Sequence, residues 1–263
     1  VDSYLIEATV IDDDTGSGSA AATIGVNNVA PQLETVELSA AEISEGDTVT
    51  LSGTFSDVGL LNAHTITIEW GGGGPGQAEE GTTTITTAGP NPAGTTFVDL
   101  GGGRWSFTAP HVYADDNPTS TPSDSYTLVI TVTDDQGGSA SAVETLSVSS
   151  VAPLLDPLVL SDSVITEGGT VQLSGTFLDA GLPDTHEILI DWGNGSTTTL
   201  STAGPHPAGT TLTDLGGGLW GFSAENVYTD EAADGDYAIT VPLSDDDGGT
   251  GSDASLLAGL DWV

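Results

Sequence analysis

The sequence repeats itself at a distance of 122 residues. Val29-Ala30-Pro31 returns as Val151-Ala152-Pro153, and the segment Glu45 to Phe55 returns as Glu167 to Phe177. A long internal repeat of this kind is typical of tandem modules, which act through length, stiffness and surface rather than through one buried reaction centre. The repeat therefore favours a structural or adhesive protein over an enzyme.

Three segments alternate apolar with other residues, and each runs into a cluster of aspartates. Because successive side chains of a strand point to opposite faces, this alternation predicts strands with one face on a core. Pro242 interrupts the third segment and cannot donate a ladder hydrogen bond, which predicts an edge strand or a bulge there. The alternating residues are Tyr4, Ile6, Ala8 and Val10; Tyr126, Leu128, Ile130 and Val132; and Tyr237, Ile239, Val241 and Leu243.

The repeat divides the chain into two modules and a partial one. Residues 29–150 and 151–263 form the two modules, and residues 1–28 match only the last two strands of a module. The predicted fold is all-β, with tandem Ig-like β-sandwich modules of about seven to nine strands each. Residues 1–28 belong either to a preceding module of a longer array or to a module of another subunit, which they would complete by strand donation.

The charge of the chain limits its partners. Thirty-nine acidic residues stand against one basic residue, giving a formal net charge of −38. Such a chain cannot neutralise the phosphates of nucleic acid or bind an anionic membrane surface. No apolar run approaches the ~18 residues that a membrane span needs, so no membrane insertion is expected. The self-repulsion requires either bound divalent cations or high external salt, and the sequence leaves both open.

The aspartate clusters are candidate calcium sites. Calcium takes six to eight oxygen ligands from carboxylates and carbonyls on a loop. Three aspartate runs offer that chemistry, and each leads into a turn with Gly, Ser or Thr: Asp12-Asp13-Asp14, Asp134-Asp135 and Asp245-Asp246-Asp247. The leading candidates within them are Asp12, Asp13, Asp134, Asp135, Asp245 and Asp246. The alternative is a solvated turn, since Asp and Gly are the residues that β-turns prefer.

Nothing in the sequence predicts catalysis. It contains neither a G-x-S-x-G nucleophile motif nor an H-E-x-x-H zinc motif. Trp70 and Trp192 continue apolar strand faces and are expected in the core. Trp105 and Trp220 follow glycine triplets, and core packing or stacking on a sugar ring both fit them.

Two motifs resemble those of PKD (polycystic kidney disease) domains. Ile190-Asp191-Trp192-Gly193-Asn194-Gly195 resembles their W-D-F-G-D-G signature, and His111-Val112-Tyr113 resembles their H-x-Y motif. The resemblance implies Ig-like sandwiches in an extracellular surface protein of bacteria or archaea. It also implies calcium between the linker and nearby acidic loops, at Asn28, Asp57, Asp134, Asp179 and Asp245.

The leading functional hypothesis is therefore a non-enzymatic array at the cell surface. Its modules would form an adhesin stalk, a filament or a surface-layer component, made rigid by calcium and in contact with one another or with further copies. The alternative is an accessory region of a secreted hydrolase that binds carbohydrate or protein. Exposed, coplanar rings of Trp105 and Trp220 would favour the alternative.

Overall fold

The structure is a computed structural model that describes residues 2–71, 80–116, 120–230 and 236–259. Every regular element in these ranges is a β-strand. None of the described residues forms a helix with the length and apolarity to cross a membrane. The predicted all-β fold is confirmed.

The chain begins with a separate hairpin and continues into module one. The hairpin consists of β1 (Asp2–Ile11) and β2 (Ser17–Val26). In module one, a sheet with the order β3-β5-β9-β8 faces a sheet with the order β4-β11-β10-β6-β7. The strands of module one are β3 (Gln32–Leu38), β4 (Glu42–Ser44), β5 (Thr48–Ser56), β6 (His64–Glu69), β7 (Thr82–Thr86), β8 (Thr96–Asp99), β9 (Arg104–Val112), β10 (Ser123–Asp134) and β11 (Ser139–Ser149).

Module two repeats this topology. Its sheets have the orders β12-β15-β19-β18, with β13 also on β15, and β14-β21-β20-β16-β17. Tandem sandwich modules are therefore observed as predicted. The strands of module two are β12 (Leu154–Leu155), β13 (Val159–Leu160), β14 (Val164–Ile165), β15 (Gly169–Leu178), β16 (His186–Asp191), β17 (Thr197–Ser201), β18 (Thr211–Gly216), β19 (Leu219–Tyr228), β20 (Asp236–Asp245) and β21 (Thr250–Gly259).

A buried tryptophan occupies the centre of each core. Trp70 and Trp192 are both fully buried, as predicted. Each indole N–H donates to a threonine hydroxyl, at 2.8 Å in module one and 2.9 Å in module two. Tyr113, from the H-x-Y motif, donates to the backbone oxygen of Trp70 at 2.5 Å, and Tyr228 bonds Trp192 in the same way at 3.0 Å. Because the polar atoms of these aromatic residues are paired, their large apolar surfaces can be buried without a desolvation penalty.

The hairpin β1–β2 resembles β10–β11 and β20–β21 in sequence but differs from them in burial. Tyr126 and Leu128 of β10 are buried in module one, whereas Tyr4 is 54 % and Ile6 57 % exposed on β1. Among the described residues, β1 and β2 pair only with each other. The predicted core face of β1 is therefore present but uncovered.

The prediction for Pro242 was wrong about the edge. Pro242 lies in β20, which has β21 on one side and β16 on the other. It is in register with Ser252 of β21, while the β16–β20 pairing is interrupted between Leu243 and Thr240. A central strand thus accepts the proline by giving up part of one ladder, since proline has no N–H to donate.

Candidate metal centre between the modules

Each module has an end that lies against the linker preceding it, which we call its leading tip. This tip is built around a buried aspartate and a histidine. In module two, Asp179 follows β15, and its Oδ2 lies 2.7 Å from Nε2 of His186, the first residue of β16. His186 is also in register with Asp245 at the end of β20. Strand pairing therefore brings Asp179 and Asp245 to the same tip, although 66 residues separate them in the sequence.

A tight turn holds the aspartates of the last hairpin at that tip. Asp245 Oδ1 accepts the backbone N–H groups of Asp247 at 3.0 Å and Gly249 at 2.6 Å. An aspartate that bonds its own backbone two residues on is a common turn former. A Cβ on Gly249 would lie 2.8 Å from Cα of Ala152 in the linker, so the linker rests directly on this turn.

The opposite end of module one, which precedes the linker to module two and which we call the trailing end, meets this tip. The backbone N–H of Val151, in the linker, donates to Glu45 Oε1 at 2.6 Å. The N–H of Leu182, in the loop after Asp179, donates to the carbonyl of Ala114 at 3.3 Å. These contacts place Asp115 and Asp116, which follow Ala114, opposite the acidic loops of module two.

Eight carboxylates gather at this contact, which we call the second junction. They form four overlapping groups of three, and within each group one ligand atom per residue lies within 4.8 Å of the others. Two groups include acids of both modules, and all but one of the eight side chains are buried. The groups are Glu45, Asp115 and Asp184; Asp115, Asp116 and Asp247; Asp179, Asp184 and Asp245; and Asp184, Asp246 and Asp247.

Several carboxylate oxygens here are buried without a partner among the described residues. Both oxygens of Asp184 lack a hydrogen bond, although the residue is only 6 % exposed. Oε2 of Glu45 and Oδ2 of Asp245 are likewise buried and lack a hydrogen bond. Leaving a buried polar group unsatisfied costs about 1–3 kcal/mol, and more when the group is charged. Within the described part of the chain, these particular oxygens of Asp184, Glu45 and Asp245 therefore have neither a positive charge nor a hydrogen-bond donor to compensate their burial.

The same crowding shifts the acidity of these groups. Burial, reinforced by the neighbouring carboxylates Glu45 and Asp115, raises the pKa of Asp184 to about 9. Burial and the nearby Asp247 raise the pKa of Asp116 to about 7. Burial is also the main cause that raises the pKa of Glu45 to about 7 and that of Asp247 to about 6. In the absence of a cation, the second junction thus favours protonated carboxyl groups.

This crowding predicts how stability depends on pH without divalent cations. A carboxyl group whose pKa is higher in the folded chain binds more protons when folded, so stability falls as pH rises. We expect the melting temperature in chelator to fall between pH 5 and pH 9, the window set by the raised pKa of Asp184 and Glu45. The measurement is thermal unfolding across this range, with Asp184→Asn for comparison, since the variant should show a weaker dependence. A wild-type melting temperature that rises with pH would contradict the prediction.

The predicted site residues fall into three places. Asp179, Asp245 and Asp246 belong to the second junction. Asp12 and Asp13 lie on the exposed turn of the separate hairpin. The remaining four lie around the linker before module one, which we call the first junction: Asn28, Asp57, Asp134 and Asp135.

Sequence reasoning missed the acids that complete the second junction. Glu45, Asp115 and Asp116 come from the trailing end of module one, and Asp184 comes from the tip loop of module two. Asp247 belongs to the aspartate run that the sequence offers for calcium, but it is not among the leading candidates. Comparison of the two copies could have pointed to Asp184. The equivalent position 122 residues earlier is Asn62, so this loop carries an additional acid in module two only.

Trp105 and Trp220 do not form an exposed platform. Trp105 is 6 % exposed and stacks on Phe55 with ring centroids 5.2 Å apart. Trp220 is partly buried and lies parallel to Phe177 at 6.4 Å. These contacts place both rings at the cores and do not favour stacking on sugars.

No protein-family model matches the chain, and neither does any curated protein sequence. Among solved structures, the chain is similar to a tetra-tandem repeat in the extending region of a large adhesion protein, with 18 % identity and a TM-score of 0.48. That match covers 97 % of this chain and 56 % of the other. The adhesin InvE of Yersinia pseudotuberculosis is 12 % identical with a TM-score of 0.38, covering 86 % of this chain and 60 % of its own.

A third similar structure is the N-terminal Ig1-2 module of the Drosophila receptor protein tyrosine phosphatase DLAR. It is 13 % identical with a TM-score of 0.28, over 89 % of this chain and 100 % of the other. The chain thus spans little more than half the length of the two adhesion proteins. All three TM-scores lie below 0.5, so these likenesses carry no functional inference.

Proposed function

We propose that this chain is a non-enzymatic array of PKD-like modules at the cell surface, in which calcium clamps module one to module two. The observation that carries the proposal is the carboxylate of Asp184. It is buried between two modules, has no hydrogen-bond partner among the described residues, and lies within 4.8 Å of acids from both sides. An extracellular stalk, filament or surface-layer component needs such fixed junctions between its units.

The clamp follows from simple electrostatics. Two like charges about 4 Å apart repel each other by about 4 kcal/mol at an effective dielectric constant near 20. Without a cation, the carboxylates that remain ionised repel one another and the others have to take up protons, and both effects weaken the contact between the modules. A divalent cation between the modules attracts each ionised carboxylate. The group of Asp115, Asp116 and Asp247 shares no residue with that of Asp179, Asp184 and Asp245, so the junction offers two separate sets of carboxylates to cations.

The donor set favours calcium over other metals. All the ligand atoms in the four groups are carboxylate oxygens, and the chain has no cysteine. Oxygen-only sites suit hard cations, whereas zinc and copper prefer nitrogen and sulfur. Calcium accepts six to eight oxygens in irregular geometry, while magnesium requires a near-ideal octahedron and releases its water reluctantly. Loops from two modules supply eight carboxylates, a number that suits the high coordination number of calcium.

The partners we propose are further modules of the same kind. The exposed apolar face of β1–β2 matches the buried face of β10–β11, which pairs with β6 and β4 in module one. Both described modules already contain their own hairpin at that position. The separate hairpin would therefore complete one further sandwich, in line with an array of repeated units.

Calcium titration tests the proposal directly. The chain is measured in low salt by small-angle X-ray scattering and thermal unfolding, in chelator and then with increasing calcium. We expect calcium to reduce the spread of module orientations and to raise the melting temperature of the chain, with magnesium much less effective. Glu37→Gln, which removes an exposed charge from β3, serves as a control with an unchanged response.

The outcome also separates calcium from adaptation to salt. If sodium chloride at high concentration rigidifies the chain in chelator and calcium adds nothing, the acidity serves a saline environment and the clamp is refuted.

A further inference from the structure

The two junctions of this chain carry different side chains at equivalent positions. Where the second junction has Ser150, Asp184 and Asp247, the first junction has three amides. These are Asn28, Asn62 and Gln136. The tip aspartates themselves are retained, because Asp57 and Asp134 stand where Asp179 and Asp245 stand in module two.

The amides at the first junction provide the donors that the second junction lacks. Asn28 Nδ2 donates to Asp134 Oδ2 at 2.8 Å, whereas the equivalent oxygen of Asp245 has no partner among the described residues. Asn62 Nδ2 donates to Asp57 Oδ2 at 3.4 Å, and Gln136 Nε2 donates to Asn62 Oδ1 at 3.4 Å. A chain of amide hydrogen bonds thus links the linker, the tip loop and the hairpin turn.

The backbone completes the pairing of the first-junction aspartates. Asp134 Oδ1 accepts the N–H groups of Gln136 at 2.9 Å and Gly138 at 2.8 Å. Asp57 also accepts from Gly59 at 2.8 Å and from His64 at 2.9 Å. Burial alone would raise the pKa of Asp134, but the hydrogen bond from Asn28 and those from the backbone bring it below its usual value. The ionised aspartate is therefore stabilised without a cation.

Acidic groups are also sparser there. In module two, the groups of Asp179, Asp184 and Asp245 and of Asp184, Asp246 and Asp247 consist of module-two residues only. Their counterparts in module one each contain Asn62, and one also contains Gln136. None of the four acidic groups defined above among the described residues lies at the first junction.

We infer that the first junction is closed by amide hydrogen bonds without a divalent cation. The chain would then have a cation-free junction before module one and a calcium-dependent junction between the two modules. This inference rests on the proposed function at the second junction. Lowering calcium would then loosen the contact between the two modules and leave the linker before module one in place. The three amides act as a built-in substitute for the ion.

Restoring the acids tests the inference. Asn62→Asp combined with Gln136→Asp recreates both module-two groups in module one, and the number of bound calcium ions is measured by isothermal titration calorimetry on the full chain. We expect at least one more ion than in the wild type. Gln172→Asp combined with Asn194→Asp adds the same charge in module two, away from the first junction, and should leave the number unchanged.

A second variant examines the wild-type junction itself. Asp135→Asn removes an exposed carboxylate at the first junction and should leave the number of calcium ions and their affinity unchanged, whereas Asp184→Asn should lower both. The inference is overturned if Asp135→Asn lowers the number of bound ions, or if the folded double variant gains none. If instead Asp184→Asn has no effect, the clamp at the second junction fails, and this outcome is distinguishable from the other two.

Discussion

Replacing Asp184 by asparagine should have opposite effects with and without calcium. With calcium, the variant loses a ligand shared by three of the four carboxylate groups, and we expect its calcium affinity to fall at least about tenfold. Without calcium, Asp184 has to take up a proton on folding, because burial and neighbouring carboxylates raise its pKa to about 9. Asparagine is neutral at every pH and adds two N–H donors. Since an unsatisfied buried polar group costs about 1–3 kcal/mol, the calcium-free variant should be more stable by an amount of that order.

The informative result is that the substitution acts in opposite directions with and without calcium. Thermal unfolding in chelator and in saturating calcium, together with calorimetric affinity, measures both. Glu37→Gln controls for the loss of one negative charge in a chain with a net charge of −38. A variant that is destabilised equally in both conditions would show that Asp184 supports only the fold, and the calcium clamp would lose its main evidence.

Replacing Gly218 by alanine should unfold module two or displace its acidic tip. Gly218 has φ +79°, and an added Cβ would collide with the backbone oxygen of Asp179. The left-handed conformation costs a residue with a side chain about 1–2 kcal/mol, and overpacking adds about 1–3 kcal/mol. Because the collision is with the backbone of Asp179, the loop that carries this ligand has to move. We expect a lower melting temperature and weaker calcium binding.

The neighbouring glycine gives a matched control. Gly217 has φ +65°, and nothing lies within 4 Å of a Cβ placed on it. Gly217→Ala should therefore cost only the backbone term of about 1–2 kcal/mol and leave calcium affinity unchanged. Equal losses for the two variants in unfolding and calorimetric experiments would show that contact with the Asp179 loop is unimportant.

The sequence was sufficient for the fold because its signals are local and occur twice. Alternating residues such as Tyr126 and Leu128 predict strands, and the return of the segment around Val29 after 122 residues predicts equivalent modules. The core tryptophans follow from the same alternation. Pro242 shows the limit of such rules, because a central strand can lose part of one ladder and still be held by its other neighbour.

The candidate metal centre could be predicted only in part, because its two halves come from different modules. Asp179 and Asp245 follow from the repeated tip and from a family resemblance. Glu45 and Asp115 lie at the opposite end of the preceding module, and no local pattern marks them as partners of Asp184. Their proximity depends on the relative orientation of the two modules that the linker sets, and no sequence pattern specifies this orientation.

The hydrogen bond from Val151 to Glu45 has a mechanical consequence. Val151 belongs to the linker, and Glu45 belongs to the acidic groups. A pull along the chain acts on the junction and on both sandwiches in series, and straightening the linker breaks this bond and separates the carboxylates while the strand ladders of each sandwich stay paired. The ion site would then yield first under tension, and it would re-form when the load is removed while both folded modules remain intact.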